Sequence, residues 1–203
     1  MTHTLTGLFD SYDDARRAVQ DLEAAGVPHR DISLVANNAR GDHEVNGQRP
    51  ATAAGEDAGK GAGIGATLGG VGGLLAGLGM VAIPGLGPVV AAGWLAATAA
   101  GALGGAVIGG AAGGLVGALT HAGVPEDDAH LYAEGVRRGG TLVTAKVHDD
   151  LVPTARAVLT DKSTVDLVRR RDLYRVQGWS RFDPAAAPYT ADQIEAERRL
   201  HRL

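Results

Sequence analysis

The chain has 203 residues, 19 Lys and Arg against 23 Asp and Glu, 31 glycines and no cysteine. A disulfide scaffold, a thiolate zinc site and a cysteine nucleophile are therefore excluded, and a net charge of −4 argues against bulk nucleic-acid binding. The opening MTHTLTGLFD has no basic stretch followed by an apolar core, so no secretory signal is read there. The expectation is a cytoplasmic chain, or one at the cytoplasmic face of the inner membrane.

Thr4–Phe9 reads as a short strand, with Leu5, Leu8 and Phe9 as its apolar content. Ser11 then opens a helix, with Asp14 three residues on in a variant of the capping box. Ala15, Ala18, Val19, Leu22 and Ala25 recur at three- and four-residue spacing, a single apolar stripe. Gly26 suits the position just past the helix and Pro28 prevents its continuation. Ile32–Ala36 is a second strand, which completes β-α-β over residues 1–37, and 38–60 reads as a polar linker.

Charge then disappears. From Gly61 to Pro125 there is no Asp, Glu, Lys or Arg, and 20 of the 31 glycines fall between Gly61 and Gly117. Gly61, Gly65, Gly69, Gly73 and Gly77 stand at every fourth position. After the break AIPGLGP (82–88) a second series follows: Gly93, Ala97, Gly101, Gly105, Gly109, Gly113 and Gly117. Four residues advance about 400° around an α-helix, so small residues at that interval form a slowly winding groove. Another backbone can approach closely along such a groove, as in small-xxx-small packing. Each interior glycine costs ~1 kcal/mol relative to alanine in a helix, so these arms need close packing, an apolar solvent or both. The spacing predicts a glycine-zipper helical hairpin over 61–121. Its arms are long enough to span a bilayer at the ~20 residues a span requires, and Trp94 suits an interface. No cluster of Lys or Arg fixes an orientation, and a soluble assembly with the hairpins as its dry core is the alternative.

Beyond the hairpin, Val124 and Pro125 precede Glu126, Asp127 and Asp128, an acidic helix start, and Arg137 and Arg138 before Gly139 suit its end. Thr141–Val147 alternates as a half-buried strand. Asp149 or Asp150 can cap a helix running to about Leu159, with Pro153 in its first turn, and Thr164–Val168 reads as a last strand. With the insertion and the helix that follows it set aside, residues 1–37 and 122–170 give β-α-β twice. The fold class expected is α+β, a split ferredoxin-like sandwich with four strands, two covering helices and an inserted glycine-rich hairpin. Residues 171–203 form a helical tail, in which Thr190 and Gln193 make a capping box and Ile194, Leu200 and Leu203 a thin apolar edge.

Catalytic and cofactor chemistry is not expected. Gly61, Gly63 and Ala66 match the dinucleotide fingerprint, but a polar linker precedes them and no acid follows until Glu126. Gly59-Lys60 is followed by Gly61 where a phosphate loop needs Ser or Thr. Most of the seven histidines are assigned surface or helix-cap roles, none being read beside a suitably placed acid at helical metal-ligand spacing; no metal site is expected, and no nucleophile–base–orienter set is found. The one local basic concentration is Arg169, Arg170 and Arg171 with Arg175 and Arg181. A solvated face is its ordinary reading; contact of Arg169, Arg170, Arg171 and Arg175 with anionic lipid headgroups is the functional one.

The segments TGLFDSYDDARRAVQDLEAAGVPHRDISLVAN and AGVPEDDAHLYAEGVRRGGTLVTAKV, with the glycine-rich stretch between them, resemble the bacterial general stress (heat-induced stress) protein family over about 4–37 and 58–170. Ala-Gly-Val-Pro at 25–28 recurs at 122–125, consistent with two similar helix ends. The resemblance implies a bacterial protein raised under stress and supplies no catalytic residue or cofactor. The expected function is a non-enzymatic stress-associated protein that self-assembles through its glycine zipper in contact with a membrane. The alternatives are a soluble homo-oligomeric scaffold and a small-ligand regulatory domain whose ligand the sequence does not name.

Overall fold

The structure, a computed structural model, describes residues 1–41, 79–96, 98 and 114–201. β1 (Thr2–Phe9) leads into α1 (Tyr12–Ala24), where the Ser11 hydroxyl accepts from the Asp14 N–H at 3.4 Å as the sequence requires. Ala15, Ala18, Val19 and Leu22 form the buried stripe of α1. A single 3₁₀ turn, His29–Asp31, then delivers β2 (Ile32–Asn37), buried along its whole length.

Residues 79–93 depart from expectation. In place of helix arms flanking a break, β3 (Gly79–Ile83) and β4 (Gly87–Gly93) form a β-hairpin, turned by Pro84, Gly85 and Leu86. The β-branched side chains of Ile83, Val89 and Val90 favour a pleated, half-buried surface, and a free sheet edge at β2 supplies the partner. Then come α2 (Leu115–His121), α3 (Glu126–Arg137), β5 (Thr141–His148), α4 (Val152–Leu159), α5 (Leu167–Val176) and α6 (Ala191–His201).

The five strands make one sheet in the order β1-β5-β2-β4-β3, with every neighbouring pair antiparallel. β5 therefore separates β1 from β2, and α1 connects two strands that are not hydrogen-bonded to each other. The expected last strand, Thr164–Val168, is reduced to a single bridge between Thr164 and Phe9, beside a bond from the Val165 N–H to the Leu8 carbonyl at 2.8 Å. The Asp166 carboxylate accepts from the N–H groups of Val168 and Arg169, which starts α5 where the strand was expected to continue. Neither Asp149 nor Asp150 caps α4; the carboxylate of Asp149 instead holds the N-terminal amine at 2.9 Å and His3 at 2.6 Å.

Helices cover both faces. α1 and α4 pack on Phe9, Ile32, Leu34, Val143 and Ala145, while α2 and α3 pack on Leu8, Val35, Val89 and Leu142. The sequence accounted only for the first layer. Both Ala-Gly-Val-Pro segments end a helix in the same way. The Val27 N–H reaches the Leu22 carbonyl at 3.0 Å and the Val124 N–H the Leu119 carbonyl at 3.0 Å, after Gly26 and Gly123 at φ +94° and +93°. This is the left-handed cap with its buried apolar residue just beyond. The first ending leads into a strand and the second into a helix.

Candidate functional site

Of the glycine series, the structure places Gly93 and Gly117. Gly61, Gly65, Gly69, Gly73, Gly77, Ala97, Gly101, Gly105, Gly109 and Gly113 lie outside the described residues. Gly117 is helical, in α2. Gly93 is not: it ends β4 with φ +83°, opposite Ser33, and a Cβ there would run into the Ile32 carbonyl oxygen and stand 2.9 Å from the Ser33 Cα. Its lack of a side chain serves a close strand contact, not a helix groove. Trp94 also sits elsewhere than expected, its ring 3.7 Å beneath the Lys146 ammonium of β5.

The turn expected at the far end of the helical hairpin is part of the folded body. A Cβ on Gly85 would meet Phe182, Asp183 and Pro184 at 2.9 Å, and one on Gly87 would meet Pro188 at the same distance. The C-terminal segment thus lies against the β3–β4 turn. It continues to α6, where Ile194 is buried and covers Gly139 and Arg198 donates to the Gly139 carbonyl at 3.3 Å. Glu195 pairs with Arg40 at 2.6 Å. The Thr190–Gln193 capping box is formed in both directions, at 2.9 and 3.3 Å. Of the thin apolar edge, Ile194 faces inward and Leu200 outward.

Between α3, α5 and α6 lies a buried charged cluster that the reading of the sequence missed. Arg138 donates to Glu134 at 2.7 Å and to Glu197 at 3.2 Å, bonds Gln177, and stacks 4.0 Å over the Tyr174 ring. Burial opposes the charge on Arg138, but the hydrogen bond and charge of Glu134, helped by Glu197, outweigh it and hold its pKa above the ordinary value. Burial pushes the Tyr174 phenol up to about 12. Glu134 and Arg138 are one helical turn apart, a signal legible in the sequence; Glu197 is not.

The arginine cluster does not act as one patch. Arg170 is buried and makes two bonds to the Asp10 carboxylate, at 2.9 and 2.6 Å. Burial works against its charge and the Asp10 bonds restore it, leaving its pKa raised. Arg171 pairs with Asp128 at 2.5 Å. Arg170 and Arg171 are therefore paired with the protein's own acids, while Arg169 and Arg175 are exposed. Arg181 joins Glu126 and donates to His130 Nε2 at 2.9 Å. Reading no histidine beside a suitably placed acid passes over His130, which has Glu126 and Glu134 four residues to either side. An acceptor Nε2 requires the neutral ring, and burial first, then Arg181, depresses the His130 pKa against the opposing pull of Glu126. No group of three metal-ligating side chains occurs among the described residues.

These features define a mixed α/β protein with an antiparallel sheet, whose clustered charges hold its C-terminal segment in place. Residues 4–82 match the family model of the heat-induced stress protein YflT domain, so this part of the chain is similar to that stress-protein family. The match takes in most of β1, all of α1 and β2 and most of β3, while β5, which separates β1 from β2, lies beyond it. No curated protein matches the chain, and no solved structure does.

Proposed function

We propose that this is a non-catalytic stress-associated protein that assembles with copies of itself through its two glycine-rich stretches, carried on a ferredoxin-like head. The order of β1, β5 and β2, with the Thr164 bridge on the far side of β1, supports the split β-α-β reading of the head. The β3–β4 hairpin extends that head at the β2 edge.

One observation carries the assembly reading: the described residues on both sides of each glycine-rich stretch belong to the same folded body. Residues 42–78 connect β2 to β3, and 94–114 connect β4 to α2, which packs on that sheet. A stretch that starts and ends on one side of a bilayer must cross it twice, which takes ~40 apolar residues as helix. The uncharged part of the first connection, 61–78, has 18 residues and the second connection 21. Neither suffices. No helix among the described residues is long and apolar enough to cross a membrane. Packing between copies then becomes what offsets the cost of the glycines, and the soluble scaffold is favoured over a spanning hairpin.

The test is the full-length chain with Gly69, Gly73, Gly105 and Gly109 replaced by Leu, compared by sedimentation and by flotation with vesicles. Loss of the oligomer with the monomer still folded is expected. An unchanged oligomer refutes packing through the small residues, and flotation of the unaltered protein with vesicles returns the membrane reading.

A further inference from the structure

The outer face of α5 carries Val168, Leu173 and Val176 at 70%, 41% and 88% exposure, three of the five large apolar side chains most open to solvent among the described residues. They line a shallow groove with Asp166, Arg169 and Asp172. The inner face of the same helix is fixed by the fully buried Tyr174 and by the Arg170–Asp10 and Arg171–Asp128 pairs, so the outer residues stand on a rigid element. Exposed apolar side chains grouped on one face of a firmly seated helix point to an interaction surface.

The charges say what covers it. Asp166, Arg169, Asp172 and Arg175 follow at intervals of three residues, alternating in sign. All four are exposed. Laid antiparallel against itself, this row is its own complement: Asp166 faces Arg175 of the second copy, Arg169 faces its Asp172, and Val168 faces its Leu173. A parallel pairing would set each charge against its like. We infer that α5 is a two-fold interface through which a second copy of this chain docks antiparallel, with Val168 and Leu173 near its centre, Val176 at its edge and the alternating Asp/Arg row fixing its register. An isologous contact of this kind places the same patch on both partners. One ten-residue helix buries less than the ~800 Å² per partner of a standard interface, so the contact is weak in isolation. The interface uses none of the glycine series, so it stands or falls separately from assembly through those residues.

The chain has no cysteine, which makes cross-linking clean. Full-length chains bearing Val168→Cys and Leu173→Cys, mixed in a thiol–disulfide buffer, are expected to give at least ten times the disulfide dimer that either chain forms alone. Arg169→Asp placed in both chains sets the new carboxylate against Asp172 of the other copy and should reduce the yield about tenfold. Arg169→Asp in one chain with Asp172→Arg in the other restores opposite charges at both contacts and should recover it. Equal yields in mixed and unmixed samples, or indifference to the charge reversals, overturn the interface. So does loss of the cross-link on adding anionic vesicles to which the protein floats, which would assign the face to lipid.

Discussion

Gly93 separates the strand reading of 87–93 from the helical one by the sign of a single substitution. In a solvent-exposed helix, Gly93→Ala gains about 1 kcal/mol of propensity. In the sheet it does the opposite. The residue sits at φ +83°, where an L side chain costs ~1–2 kcal/mol. Its Cβ would also overlap the Ile32 carbonyl oxygen and fall 2.9 Å from the Ser33 Cα, backbone atoms that cannot swing aside. β4 must retreat from β2, and the retreat breaks the bonds of the Ser33 hydroxyl to the Ala92 carbonyl at 2.7 Å and from the Leu95 N–H at 3.2 Å. At ~1 kcal/mol for each bond, the expected loss is about 4 kcal/mol. Gly26→Ala is the control: φ is +94° there, but nothing lies within 4 Å, so only the conformational cost of ~1–2 kcal/mol remains. Urea unfolding followed by far-ultraviolet circular dichroism measures both, and a slope of about 2 kcal/mol per M turns the Gly93→Ala loss into a midpoint lower by roughly 2 M. A Gly93→Ala protein as stable as the parent, or more so, would refute the placement of 87–93 in the sheet.

Asp10→Ala strips the buried Arg170 of its carboxylate and should cost about 2–3 kcal/mol in thermal unfolding, below the usual cost of breaking a fully buried pair because Asp10 is half exposed; an unchanged melting temperature would mean that the pair holds nothing. His130 has its pKa depressed by burial and Arg181, so the unfolded chain, near 6.5, binds the proton first. Stability is thus complete above about pH 6.5 and falls as pH drops toward the folded pKa. His130→Asn should remove that slope from melting temperatures measured between pH 7.5 and 5, and an identical slope in the variant counts against the assignment. Ile194→Ala vacates the cover over Gly139 and should cost about 2–4 kcal/mol, seen first as faster hydrogen exchange across α6; unchanged exchange would show that α6 is held by its ion pairs alone.

Local chemistry was legible where the signal and the partner are close in sequence. Ser11 caps α1, Gly26 and Gly123 end helices, Thr190 and Gln193 box the start of α6, and β2 pairs with β5 from Ile32↔Ala145 to Ala36↔Thr141 as the split pattern requires. The hairpin at 79–93 was hidden by the glycines around it, although Pro84-Gly85 is a turn dipeptide between runs carrying Ile83, Val89 and Val90. A four-residue glycine interval signals helix only while the residues between it do not prefer a sheet. At α5, the β-branched Thr164 and Val165 pointed to a strand, and the Asp166 cap decided for a helix. The arginine run was misread for a different reason: the partner of Arg170 is Asp10, 160 residues away, and no local pattern records it.

The glycine-rich region is consequently not a module set into a finished head. Excising 58–122 as if it were separable would remove β3, β4 and α2, and with them Leu86, Val89, Leu95, Leu115 and Leu119, each at most 1% exposed. At ~1.5–3 kcal/mol for each large apolar side chain withdrawn from water, those five residues alone represent about 10 kcal/mol. A whole domain has only ~5–15 kcal/mol to lose. The excision would also strip β2 of the neighbour that covers its outer edge and leave Phe182, which packs into that core, without its support. What can be altered without removing a strand or a core residue is shorter: the connections 42–78 and 97–113, rooted on either side of a hairpin that belongs to the head. Each root is tied down, one by β3 pairing with β4 and the other by Leu95 and Leu115 in the core. The C-terminal segment lies across Gly85 and Gly87, so the turn between those connections is itself covered by the folded body.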